Sequence, residues 1–147
     1  MSAVVADFNW PRFPVGGMAD IPFKNTSGTA MTPGQVLKLD TANPLSPTVM
    51  VAGMVLSAAV ADIPDGVCVQ NVPINGGGTV QILGLATVYA DAAGATTAGA
   101  LLGPSSTVAG AVVAATATAG YGVVGKAWSA TALSADPVLV RLICAGY

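Results

Sequence analysis

Short apolar runs, each cut off by a turn signal within about ten residues, leave this chain little to fold into except small β-strands. The runs Gln35–Leu39, Val49–Leu56, Gly66–Val72, Thr79–Tyr89, Ala100–Leu102, Val112–Ala114, Gly122–Trp128 and Pro137–Ile143 read as strands. Several alternate with period 2. Leu37 and Leu39 fall on one face and Val36 and Lys38 on the other, and Leu139 and Arg141 are set against Val138, Val140 and Leu142. Between the runs lie Pro33-Gly34, Asn43-Pro44, Asp65-Gly66, Asn75-Gly76-Gly77-Gly78, Gly103-Pro104 and Asp136-Pro137, all turn formers. The pattern predicts an all-β fold, a small barrel or sandwich of short strands. Two Ala-rich stretches, Ala86–Ala100 and Ala111–Ala119, have helical propensity. Their Thr and Gly content and the lack of an apolar stripe argue against helices there.

A faint internal repeat runs through these strands. Thr32-Pro33-Gly34-Gln35-Val36-Leu37 resembles Thr97-Ala98-Gly99-Ala100-Leu101-Leu102. A Gly-x-Val step follows each, Gly53-Met54-Val55 and Gly122-Val123-Val124-Gly125. Each half then closes on a longer strand, Thr79–Tyr89 or Pro137–Ile143. Two related β units folding against each other would produce this pattern.

Residues 1–24 differ from the rest. They carry Phe8, Trp10, Phe13 and Phe23, four of the chain's aromatics, interleaved with Pro11, Pro14 and Pro22. Proline at that density prevents helix and favours extended chain. The segment reads as an N-terminal arm preceding a β domain over 25–147, with the four aromatics as partner-contact anchors. Such an arm closes over its own core or reaches a neighbouring molecule. Deleting residues 1–20 is expected to leave a folded protein that docks poorly.

The chain is poor in the groups that carry catalysis. It has no His and no Glu, and only 8% of its residues are charged, against about 25% in an average domain. Ser and Thr have no imidazole base, and there is no Gly-x-Ser-x-Gly elbow. Asp62 and Asp65 sit in Asp62-Ile63-Pro64-Asp65-Gly66, which fits a turn between strands better than a calcium loop or an acid pair. Asn75–Thr79 is glycine-rich but lacks the Lys of a phosphate loop. Cys68 and Cys144 lie in apolar runs and read as buried free thiols, and two thiols without His cannot complete a four-ligand zinc site. The sequence points to no enzyme, no cofactor and no metal. A surface with so little charge is suited instead to contact with other proteins, including copies of itself.

Arg12, Lys24, Lys38, Lys126 and Arg141 are far apart in sequence, so no nucleic-acid partner is expected. The charge-free stretch Ala92–Gly125 is long enough to cross a membrane. It is broken by seven Gly and a Pro, and no membrane partner is expected. Met1–Trp10 holds Asp7 and no Lys or Arg, unlike a secretory leader.

These motifs in this order, from Thr32–Leu37 through Gly53-Met54-Val55, Ala98–Leu102 and Gly122–Ala127 to the closing Val138-Leu139-Val140-Arg141-Leu142, resemble the small capsid decoration (cement) proteins of tailed bacteriophages. The likeness is to a family of about this length first known as a phage domain of unknown function, and it covers about residues 25–144. The chain departs from that family in its aromatic arm and in having Gln35 where an Asp often follows the glycine. The resemblance implies a structural virion protein made in the host cytoplasm. Such a protein binds the major capsid protein on the capsid exterior, as a homotrimer, and stabilises the expanded shell. The alternative is another virion or surface component: a tail, head-fibre or adhesin module.

Overall fold

A strand of three to six residues forms where β-branched and apolar side chains alternate and a turn former stops the run. The computed structural model of the protein describes residues 20–46, 48–49, 51–91, 96–115, 121–130 and 137–146. They form ten strands and, among the described residues, no helix: β1 (Asp20–Asn25), β2 (Val36–Leu39), β3 (Ala52–Leu56), β4 (Gly66–Cys68), β5 (Gly77–Gln81), β6 (Leu85–Tyr89), β7 (Leu101–Pro104), β8 (Val112–Ala114), β9 (Gly122–Ala127) and β10 (Pro137–Gly146). The all-β expectation holds. The described parts of the two Ala-rich stretches supply most of β6 and all of β8 and form no helix; residues 92–95 and 116–119 lie outside the described residues.

The first five strands close into a barrel in the order β1-β3-β2-β4-β5. Phe23, Met31, Leu37, Met54, Cys68, Val72 and Val80 fill it. The other five make a sheet in the order β6-β10-β9-β7-β8.

These two sheets are one unit built twice, in the same register over the pairs that both contain; β10 alone runs on past a bulge between Leu142 and Ala145 to pair again with β9. β1 meets β5 as β6 meets β10, with Asp20–Gln81 answering to Leu85–Arg141 and Phe23–Gly78 to Val88–Val138. β2 meets β3 as β7 meets β8, with Leu37–Leu56 answering to Leu102–Ala114. β2 meets β4 as β7 meets β9, through Leu37–Gly66 and Leu102–Gly125. Finally, Val67–Gln81 across β4 and β5 answers to Lys126–Arg141 across β9 and β10. The turn before β2 and β7 also repeats. Gly34 N–H donates to Cys68 O and Gly99 N–H to Ala127 O, each at 2.8 Å. Both glycines sit at positive φ, 91° and 88°, where a Cβ is strained.

The repeat read from the sequence is therefore present, with one correction. Gly53-Met54-Val55 lies in β3, whose counterpart is β8, whereas Gly122-Val123-Val124 lies in β9, whose counterpart is β4. A glycine followed by a β-branched residue suits any tightly packed strand, so the step matches by composition and not by position.

The units differ at one seam. In the first, β1 and β3 run parallel over Phe23–Ala52, Lys24–Gly53 and Asn25–Met54 and close the barrel. In the second, only the bridge Ala90–Val112 survives, the counterpart of Asn25–Met54. Gly110, the counterpart of Ala52, gives its backbone to the first unit instead. Its N–H donates to Ser57 O at 2.7 Å and its carbonyl accepts from Val36 N–H at 2.8 Å. Through this opening Val36 and Val67 join the second unit's core beside Ala86, Val88, Leu102, Val112, Ala127 and Val140. The two units thus share buried apolar surface.

Two sequence boundaries move. Thr79–Tyr89 is not one strand: Gly84, at φ 86°, ends the first unit and its carbonyl accepts from Leu142 N–H at 2.9 Å. The last residues of the 1–24 segment belong to the barrel as β1. Pro22 is tolerated there because β3 pairing begins only at Phe23, so one side of the strand at Pro22 has no ladder to complete.

Candidate partner-contact surface

The aromatic anchors expected of the arm separate. Phe8, Trp10 and Phe13 lie outside the described residues. Phe23 is no partner contact: it is 1% exposed, because the alternation of β1 turns it into the barrel. Nor does the first unit offer a strand edge for a neighbour, since closure of the barrel uses every edge.

The polar groups singled out from the sequence are occupied with structure. Asp62 accepts from Lys38 Nζ at 2.6 Å and from the amides of Ala58 and Ala59 at 2.7 and 2.9 Å. Desolvation pushes its pKa up, but the bonds from Lys38 and the two amides outweigh this and leave it below the ordinary carboxylate value. Asp65 accepts from Leu39 N–H at 2.7 Å. The two acids thus brace a turn, as the sequence indicates, and the described residues hold no group of three metal-binding side chains. Both cysteines are free. Burial raises the Cys68 thiol, and burial with the nearby Asp65 charge pushes Cys144 up to about 12. Both stay protonated near neutral pH and are poor nucleophiles.

What the fold does assemble is an exposed face on β6, β10 and β9. Period-2 alternation sends Val138, Val140 and Ala127 inward and leaves Leu139, Arg141 and Lys126 outward. Arg141 pairs with Lys126 on one side and with Leu85 on the other. Trp128 follows beside Leu139, its N–H donating to Leu139 O at 2.7 Å, and Tyr89 stands opposite Pro137. Trp128 is 56% exposed and Tyr89 44%. The Tyr89 ring lies against the Gly34 turn, where a Cβ would come within 2.8 Å of it. No Asp among the described residues lies in this face.

Lys126 and Arg141 are far apart in sequence, and the register makes them neighbours. Alternation in β9 and β10 carries the signal that Lys126 and Arg141 point outward, but only strand pairing shows that they are neighbours. A second apolar area, Leu45, Val49 and Val51 on the loop after β2, is also exposed, beside a shallow groove of about 400 Å³ that Lys24 also lines.

No protein-family model matches the chain, and no curated protein matches it. Among solved structures it is similar to the head fiber gp8.5 N base of bacteriophage phi29. The TM-score is 0.61 at 18% identity, over 88% of this chain and 98% of that one. At such identity the likeness is one of fold.

Proposed function

We propose that this protein is a structural component of a phage virion, seated on the outside of the head and bound to the major capsid protein. The observation that carries the reading is the fold shared with a head-fiber base along nearly the whole of both chains. The surface supports it: apolar and aromatic side chains are exposed on a fold in which Asp40, Asp62, Asp65 and Asp91 are held by hydrogen bonds. Many modest contacts repeated over a symmetric lattice sum to a large stabilisation, and this needs no catalytic group. A protein that binds only the expanded shell stabilises that state by mass action. In this reading it does so as a homotrimer, made in the host cytoplasm and incorporated during assembly, with no enzymatic step.

A second form of the reading is favoured by the same neighbour: the chain serves as the base of a head fibre rather than as lattice-wide cement. Quantitative mass spectrometry of purified particles separates the two. A molar ratio to the shell protein of one, or a simple fraction of one, supports decoration. A small fixed number of copies supports a fibre base. Absence from the particle overturns the proposal in both forms.

A further inference from the structure

The same register pair occurs twice in this molecule with opposite character. In the first unit it is Val67–Gln81, and both side chains are buried, at 1% and 4% exposure. Gln81 Nε2 donates to the carbonyls of Leu83 and Leu85 at 2.9 and 2.7 Å, so this pair is sealed by the chain itself. In the second unit the pair is Lys126–Arg141, and both are exposed. Like charges directly opposite on neighbouring strands oppose folding. Neither cation has an acidic partner among the described residues, whereas Lys38 is paired with Asp62. A local cost of this kind, kept in a chain with so few charges, marks a contact site. On the same face Leu85 is opposite Arg141, Leu139 and Trp128 come next along the strands, and Tyr89 lies further on, opposite Pro137, giving the Trp, Tyr and Arg composition of binding hot spots.

We infer that the Lys126–Arg141 face of β6, β10 and β9 is the docking surface, and that its occupant is a carboxylate-bearing patch of another protein. On the virion reading, on which this inference rests, that protein is the shell. Charge complementarity selects the partner: the chain is net negative, yet this face presents two adjacent cations and no described acid. Trp128 and Tyr89 supply the apolar contact, and Lys126 and Arg141 fix the register against the acids.

The test uses the full chain and purified heads of its phage prepared without it, with binding followed by co-sedimentation at low and high salt. Wild type is expected to bind, more weakly at high salt. Lys126→Gln with Arg141→Gln should bind at least about tenfold more weakly and melt no lower than wild type, because a like-charge pair has been removed. Lys126→Glu with Arg141→Glu should not bind. Trp128→Ala should weaken binding without changing its salt dependence. Wild-type binding that all these variants retain overturns the inference and leaves the virion reading standing. Failure of wild type to bind heads overturns both. Charge-dependent capture of duplex DNA in place of heads, or loss of a wild-type oligomer in the charge variants, also overturns the inference, by making the occupant a phosphate backbone or a second copy.

Discussion

A hydroxyl and a carboxylate bridge the same two loops in both units, with their positions exchanged. In the first, Thr26 Oγ1 donates to Asp40 Oδ2 at 2.7 Å. In the second, Ser105 Oγ donates to Asp91 Oδ2. Asp91 occupies the place of Thr26: their amides donate to Val112 O and Met54 O, themselves counterparts. Ser105 likewise occupies the place of Asp40, through Ala111 O and Gly53 O. The bond has been kept while the residues that make it have traded sides. Burial differs, since Asp91 and Ser105 are 4% and 0% exposed. Ser105 Oγ also accepts from the amides of Thr107 and Val108 at 3.0 Å. Ser105→Ala should therefore cost about 1–3 kcal/mol in urea unfolding, the range for leaving buried polar groups unsatisfied. Asp91→Thr combined with Ser105→Asp rebuilds the first unit's arrangement. It should recover a coupling of roughly 0.5–3 kcal/mol relative to the sum of the single changes. Strict additivity in that cycle would show that the exchanged pair does not act as one bond.

At the scale of the strand, the duplication is preserved by what each position must avoid as much as by what it contains. Gly66 in β4 and Gly125 in β9 are counterparts, and each is pressed against a carbonyl of the neighbouring strand, that of the residue paired with the next position along. A Cβ at Gly66 would lie 2.5 Å from Gln81 O, and one at Gly125 would strike Arg141 O. Gly125→Ala should cost at least about 2 kcal/mol by overpacking against backbone that cannot yield. Gly99→Ala, where a Cβ meets open space and only the positive φ is strained, should cost about 1–2 kcal/mol. Chemical denaturation of both variants tests the order, and a larger loss at Gly99 would contradict it. The same logic explains how much of the fold could be read in advance. Most strands show in alternation and turn residues, and the Thr32–Leu37 and Thr97–Leu102 repeat shows because each turn needs glycine at positive φ. The rest of the duplication is invisible because the counterparts inside the two cores keep burial and not identity: Phe23 answers to Val88, Met54 to Val112, Cys68 to Ala127. β1 was hidden by Pro22, which denies a strand only where ladders lie on both sides. The exposed face was hidden because Lys126 and Arg141 become neighbours through register alone.

For the whole molecule, the decisive property is that two copies of one unit are joined unequally. The first unit closes into a barrel, whereas the second stays a sheet whose core includes Val36 and Val67 of the first. An arrangement of face into seam could in principle repeat from molecule to molecule, since a heterologous contact that does not close generates a filament. The chain ends the series by changing the residues at the next face: where the first unit presents Val67 to the joint, the second presents Lys126 to solvent. Exchanging these identities should therefore be asymmetric. Lys126→Val touches an exposed site and should shift stability by no more than about 0.5 kcal/mol. Val67→Lys places an unpaired ammonium in the shared core and should cost on the order of 3–5 kcal/mol, the scale of an uncompensated buried charge. Because the joint belongs to both cores, wild type should unfold in one transition seen alike by circular dichroism and tryptophan fluorescence, the latter reporting Trp10 as well as Trp128. A fragment spanning residues 84–146 alone should not fold, for it lacks the two valines that close its seam. Two separated transitions, or a folded second half in isolation, would mean that the units are independent domains and that the shared core contributes little to either.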